Sequence, residues 1–158
     1  MNRSDGKAVL GRIPYGLYIV GSVNGDRVAA IVANWVVQVS FHPQLVAVSV
    51  EQDSQMRRHI DSSGVFSVNI LPAGGKELAQ VFLKSNEPVV NQIQGREFSR
   101  ALHGSPFLRE ALACVECRVV QRVEAGDHIL FVGEVVDAIT HREGEALTLR
   151  ETGWSYQK

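Results

Sequence analysis

Residues 15–51 read YGLYIVGSVNGDRVAAIVANWVVQVSFHPQLVAVSVE, and this stretch decides the fold class. Its apolar residues come in continuous or alternating runs rich in Val and Ile, the pattern of strands rather than of a helix with its 3.6-residue period. Asn24-Gly25 divides the first run. That dipeptide supplies the positive φ angles of a type I′ turn, so residues 15–23 and 26–33 are expected to pair as a hairpin. Residues 34–41 and 45–51 follow as two further strands, parted by His42-Pro43-Gln44, where Pro43 has no N–H to give a ladder.

Outward from this stretch, residues 65–71 (VFSVNIL) read as another strand, and residues 115–123 and 128–139 as a second hairpin around Glu124-Ala125-Gly126-Asp127. Helical spacing occurs at 54–62, with Met56 and Ile60 four apart, and at 75–84, where Leu78, Ala79, Val81 and Phe82 share a face. Ser105-Pro106, a cap residue followed by proline, predicts a third short helix through Phe107, Leu108, Ala111 and Leu112. Residues 85–104 are polar and read as an irregular loop. Six or more strands with a few short helices make the chain mainly β and favour a barrel over a doubly wound sheet. With no repeat or linker visible, residues 1–158 are expected to form a single domain, its core at about 10–150.

Composition narrows the function. Sixteen Lys and Arg balance seventeen Asp and Glu, for a net charge of -1. No basic field exists to hold a phosphate backbone, so nucleic acid is not an expected partner. No apolar run approaches the roughly 20 residues of a membrane span, and the N-terminal residues carry no leader-like stretch, so the expected location is the cytoplasm and no membrane partner is expected. Cys114-x-x-Cys117 resembles a redox or zinc motif, but on a strand two residues three apart face opposite ways, and a zinc site would need two more ligands. No metal site is expected. A GxGxxG is absent, and residues 16–21 have P-loop glycine spacing followed by Ser22 where lysine belongs, which argues against Rossmann and P-loop nucleotide sites. There is no G-x-S-x-G, and the five histidines lack metal-site spacing.

Two places remain where polar residues interrupt apolar strands. Asn34, Gln38 and Ser40 fall at even spacing on one face, opposite Trp35, Val37, Val39 and Phe41. Such a face either surrounds a planar polar heterocycle or simply meets solvent, and the pattern leaves both open. Next, Asp53-Ser54 begins a helix whose first turn carries Arg57 and Arg58, cations that oppose the helix dipole by about 0.3–1 kcal/mol. A bound anion would reverse that sign. The alternative is an exposed Arg57–Asp61 pair one turn apart, which contributes little.

The same residues carry a family likeness. YGLYIVGS through ANWVVQVSFHPQLVAVSVEQDSQMRRHI, then GVFSVNIL, and later ALACVECRVV and GDHILFVGEVVDA, resemble in register the flavin reductase-like FMN-binding family, over about residues 10–150. The likeness is closest to its NADH-dependent flavin or rubredoxin reductase modules. The resemblance implies a split β-barrel that forms a homodimer, with FMN, or FAD, near the subunit interface. It implies that Asn34, Trp35, Val36, Gln38, Val39 and Ser40 surround the flavin ring. Ser49, Val50, Glu51, Ser54 and Arg57 would follow the ribityl chain and phosphate, with Lys84 and Ser85 as further phosphate candidates. Gly126, Asp127 and His128 would bind the nicotinamide of NADH or NADPH.

The implied activity is that of an NAD(P)H:FMN oxidoreductase, moving hydride from nicotinamide to flavin without a catalytic acid or base among the side chains. Electrons or reduced flavin would pass to a flavin-dependent monooxygenase or a redox protein. The alternative is a non-enzymatic FMN electron carrier for a rubredoxin-like partner; a flavin-free barrel is the third possibility. Residues 148–158 depart from many relatives, and their aromatics, Trp154 and Tyr156, are expected to pack at the subunit interface rather than over the flavin.

Overall fold

Strand β1 (Tyr18–Asn24) is buried on both faces, which is why its sequence is apolar without a break. Ile19 and Val23 enter one cluster with Leu17, Phe82 and Phe107, while Val20 enters a second with Met56, Ile60, Phe66 and Phe131. These relations come from a computed structural model, which describes residues 3–84 and 87–158. Around β1 run β2 (Arg27–Ala33), β3 (Val36–Ser40), β4 (Leu45–Glu51), β5 (Val65–Ile70), β9 (Ala113–Ala125) and β10 (His128–Thr140). They form one antiparallel sheet in the order β2-β1-β5-β9-β10-β4-β3.

The first and last strands of that order are joined by only two residues, Asn34 and Trp35. Three Cα–Cα steps of 3.8 Å span at most about 11 Å, whereas seven flat strands would be about 29 Å across. The sheet therefore rolls until its edges approach at the crossover, with a seam beside it where β2 and β3 are not ladder neighbours. The Ser49 N–H on β4 donates to the Trp35 carbonyl at 3.0 Å and fixes the crossover. This is the split barrel that the resemblance implies.

Helix α2 (Gln55–Ser63) sends Met56 and Ile60 into the second cluster. Ser54 caps it as expected, its Oγ accepting from the Arg57 N–H at 3.1 Å, and Gly64 closes it at φ +73°. Helix α3 (Lys76–Val81) lies within the expected span, and two short helices, α1 (Gly6–Leu10) and α4 (Leu149–Thr152), were not foreseen. Gly133 is required by contact: a Cβ there would stand 2.6 Å from Cys117 Cβ and 2.7 Å from a ring carbon of Phe66.

Several expectations are corrected. The first hairpin pairs Asn24 with Arg27, so its turn is Gly25-Asp26 rather than Asn24-Gly25, and only Gly25 takes a positive φ. The second hairpin likewise turns on Gly126-Asp127 alone, with Ala125 paired to His128. The helix expected from Ser105 is instead strand β8 (Pro106–Leu108). Its backbone is held extended by β5, because Asn69 accepts from the Leu108 N–H at 2.7 Å and Ser67 donates to the Pro106 carbonyl at 2.7 Å. Tertiary hydrogen bonds override the local cap signal. Within the expected loop, β6 (Gln92–Ile93) and β7 (Arg96–Arg100) pair across a Gln94-Gly95 turn, and β7 pairs with β8. The strand expected over 34–41 is shorter, with Asn34 and Trp35 in the crossover.

Cys114 and Cys117 lie in different clusters on opposite faces of β9, and burial pushes both thiols up to about 12. Such thiols are inert. Among the described residues no helix is long and apolar enough to cross a membrane, and no group of ligands could hold a metal ion.

Candidate functional site

The seam opens into a cavity of about 520 Å³. That is within the range of small-molecule sites, roughly 300–1,000 Å³. Its walls come from elements around the crossover: Ile31, Val32 and Ala33 of β2, Asn34 of the crossover, Ser49, Val50 and Glu51 of β4, and Ser54 and Met56 at the start of α2. His128 enters from β10, and Trp154, Ser155 and Tyr156 from the residues after α4.

Each polar group arrives for a local reason. His128 follows the Gly126-Asp127 turn and is the direct register partner of Glu51, so the two side chains stand side by side on one face of the β4–β10 pair. The Gln52 N–H donates to the Asp127 carbonyl at 2.9 Å and fastens that turn to the end of β4. Asn34 is 7% exposed, and its Nδ2 has no hydrogen-bond partner among the described residues. An unpaired buried donor costs about 1–3 kcal/mol, and here it stands in the wall of a cavity where an acceptor on a ligand would satisfy it.

A chain of contacts crosses the floor of the site. The Tyr156 hydroxyl donates to Glu51 Oε1 at 2.7 Å and lies 3.1 Å from His128 Nε2, while His128 Nδ1 lies 2.6 Å from Asp127 Oδ1. Lys158 Nζ pairs with the same Glu51 oxygen at 2.9 Å. The Lys158 ammonium, and after it the Tyr156 hydroxyl, holds the Glu51 carboxyl below its ordinary range. Burial, reinforced by Glu51, pushes the Tyr156 hydroxyl up, and the His128 contact holds Asp127 down. Trp35 stacks at a tilt on His128, 4.7 Å between ring centres, and meets the edge of Tyr156 at 5.1 Å. These three rings form a partition, beyond which lies a second cavity of about 360 Å³ bordered by Lys7, Tyr15, Asp127 and Lys158.

The predicted residues thus divide. Asn34, Ser49, Val50, Glu51, Ser54 and His128 meet at the cavity, with Trp35 and Asp127 directly behind His128. Val36 lines a separate groove where residues 14–18 pass the β3–β4 pair, and Gln38, Val39 and Ser40 lie farther along β3, about 13–20 Å beyond Asn34. The Gln38 amide donates to the Ser40 carbonyl. These three residues therefore do not line this chain's cavity. Their distance follows from β3 starting at Val36, so that only its first residues reach the seam.

Arg57 makes the alternative contact, binding Asp61 at 3.1 Å and the Gln52 carbonyl at 2.8 Å, and Ser54 Oγ is committed to the cap. Lys84 is exposed and adjoins Leu83, which lines the cavity; Ser85 lies outside the described residues. Gly126 forms the turn. In the final segment, Trp154 and Tyr156 line this chain's own cavity. Two aromatics in a short polar tail were the available signal. The apolar wall from Ile31 to Ala33 had no signal, because it faces the site only once the sheet has rolled.

Comparison with known proteins gives a consistent result. Residues 10–153 match the family described as flavin reductase like domain. The NADH-dependent FMN reductase AsuE2 of Streptomyces nodosus subsp. asukaensis is 30% identical over 94% of this chain and 86% of its own length. Diflavin flavoprotein A 1 of Synechocystis sp. is 36% identical over 85% of the chain, which spans only 24% of that longer protein. The chain covers about a quarter of each of the first curated relatives it matches. Among solved structures, BorF, the flavin reductase component of a bacterial two-component tryptophan halogenase, superposes with a TM-score of 0.79 at 27% identity, covering 98% of this chain and 99% of that one.

Proposed function

The chain belongs to the flavin reductase-like family, and from that premise we propose that it is an NAD(P)H-dependent flavin reductase working on FMN held in the seam cavity, with FAD as the alternative flavin. The observation that carries this reading is the unpaired Asn34 Nδ2 in the wall of a cavity of about 520 Å³. An isoalloxazine ring offers carbonyl oxygens and ring nitrogens along its edge, which fits a lone buried donor flanked by the apolar Ile31–Ala33 wall.

When bound, the flavin supplies the hydride-accepting chemistry, taking hydride from a reduced nicotinamide. The chain's own residues bind and orient. Asn34 donates to the ring edge, and Ser49, Val50 and Glu51 border the ribityl chain. The first N–H groups of α2, at Gln55 and Met56, precede the capped Arg57 N–H, lack intrahelical partners by geometry, and face the phosphate end. Arg57 and Lys84 contribute long-range positive charge. His128, with Gly126 and Asp127, orients the nicotinamide of NADH or NADPH. Trp35, Trp154 and Tyr156 exclude water from the reacting face.

The acceptor we propose is a flavin-dependent monooxygenase or a redox protein; BorF, for its part, is the flavin reductase component of a two-component tryptophan halogenase. We further propose that residues 1–158 act as one domain, that two copies associate, and that the protein works in the cytoplasm, where buried free thiols such as Cys114 and Cys117 are usual.

The test is a visible spectrum with and without added FMN, followed by anaerobic addition of NADH. Bound flavin whose oxidised absorbance bleaches rapidly is the expected result. Flavin that binds but does not bleach would instead indicate a non-enzymatic FMN electron carrier, and a protein that never takes up flavin would overturn both.

A further inference from the structure

Tyr156 carries more than the packing of a tail. Its hydroxyl has one proton and two neighbours: Glu51 Oε1 at 2.7 Å and His128 Nε2 at 3.1 Å. Glu51 is held ionised by Lys158, so it is the stronger acceptor and takes the hydroxyl proton. The Tyr156 oxygen can then only accept, and the group that donates to it is the His128 Nε2–H. On the other side of the ring, Nδ1 is tied to Asp127. Both nitrogens of the imidazole are thereby fixed, and its face lies against Trp35.

A tail that needed only to be packed would be served by phenylalanine, whose ring meets Trp35 equally well and has no hydroxyl to desolvate. The hydroxyl instead bridges two residues that stand directly opposite each other across β4 and β10, both on the cavity wall. We propose that Tyr156 is a positioning residue: through its hydroxyl, shared between Glu51 and His128, it sets the orientation of the imidazole that meets the nicotinamide. This rests on the proposed reading of His128 as part of the nicotinamide site.

The test compares Tyr156→Phe, Tyr156→Leu, His128→Ala and the Tyr156→Phe/His128→Ala pair in the FMN-loaded protein. For each, the KM for NADH, kcat, FMN affinity by fluorescence quenching and the imidazole N–H signals by NMR are measured. Loss of one charge-assisted hydrogen bond gives about a tenfold effect. Tyr156→Phe is therefore expected to raise the KM for NADH about tenfold, a larger change than in kcat or in FMN affinity, and to abolish the protected His128 Nε2–H signal.

In the His128→Ala background the same change should add nothing, since the hydroxyl acts through the ring. Tyr156→Leu, which also removes the ring, should weaken FMN as well; unchanged FMN affinity in Tyr156→Phe shows that variant to be folded. The inference is overturned if Tyr156→Phe leaves both KM and the Nε2–H signal unchanged while His128→Ala raises KM. If His128→Ala itself leaves KM unchanged, the nicotinamide reading of the site fails instead. The NMR signal separates the two failures, because it reports the Tyr156–His128 contact without NADH.

Discussion

Asn34 concentrates the site's chemistry at the residue scale. Among the described residues its amide nitrogen is buried without a partner, a desolvation that a bound ring would relieve. Replacing it by leucine, similar in size and shape and without the donor, should move two quantities in opposite directions. The melting temperature of flavin-free Asn34→Leu should equal or exceed that of the parent, while its Kd for FMN should rise about tenfold, the loss of one hydrogen bond. A variant less stable than the parent without flavin would show that Asn34 serves the fold. Arg57 illustrates the opposite case, since a cation at a helix start is accounted for by its pair with Asp61 and needs no bound anion.

The element that distinguishes this site is the final segment after α4, held against β4 by Glu51 through Tyr156 and Lys158. Glu51 is held below its ordinary value of 4.5, so its share of the anchoring is full above pH 4.5 and is lost as pH falls through the lowered value. Lys158 is held above its ordinary 10.5, so its share is full below pH 10.5 and is lost as pH rises through the raised value. The two tryptophans of the chain, Trp35 and Trp154, both border the site, so intrinsic fluorescence reads this anchoring directly. Fluorescence of the flavin-free protein should change in one step below pH 4.5 and another above pH 10.5. Glu51→Gln, which removes the charge shared by both contacts, should remove both steps; if it keeps them, the tail is held by other means.

For the whole molecule, the rolled sheet leaves β3 as an edge strand with Val37, Val39 and Phe41 at 57%, 50% and 76% exposure. An open apolar edge is a site for pairing with another chain unless something covers it. Covering these partly exposed side chains contributes about 1–2 kcal/mol each, which favours association of two copies. Sedimentation should therefore give twice the 17.4 kDa chain mass for the parent, and Phe41→Glu, which places a charge in the contact, should sediment as a single chain. A parent that sediments as one chain would leave the edge without an assigned partner.

The sequence by itself determined what depends on near neighbours in the chain. The strands β1 to β5, the capped start of α2 and the opposite facings of Cys114 and Cys117 follow from periodicity and cap chemistry, which act over a few residues. Ser49, Val50, Glu51 and His128 were expected together from the family pattern, and they line one cavity because β4 and β10 pair in register. Tertiary structure alone decided the rest. Pro106–Leu108 is a strand because Asn69 and Ser67 supply hydrogen bonds from 37 to 39 positions away in the chain. Asn34 belongs to the cavity and Gln38 does not, because the sheet's two edges meet only at the crossover. Tyr156 reaches Glu51 across 105 residues of sequence, a contact no local pattern encodes, since closing so long a loop depends on the packed barrel that brings its ends together.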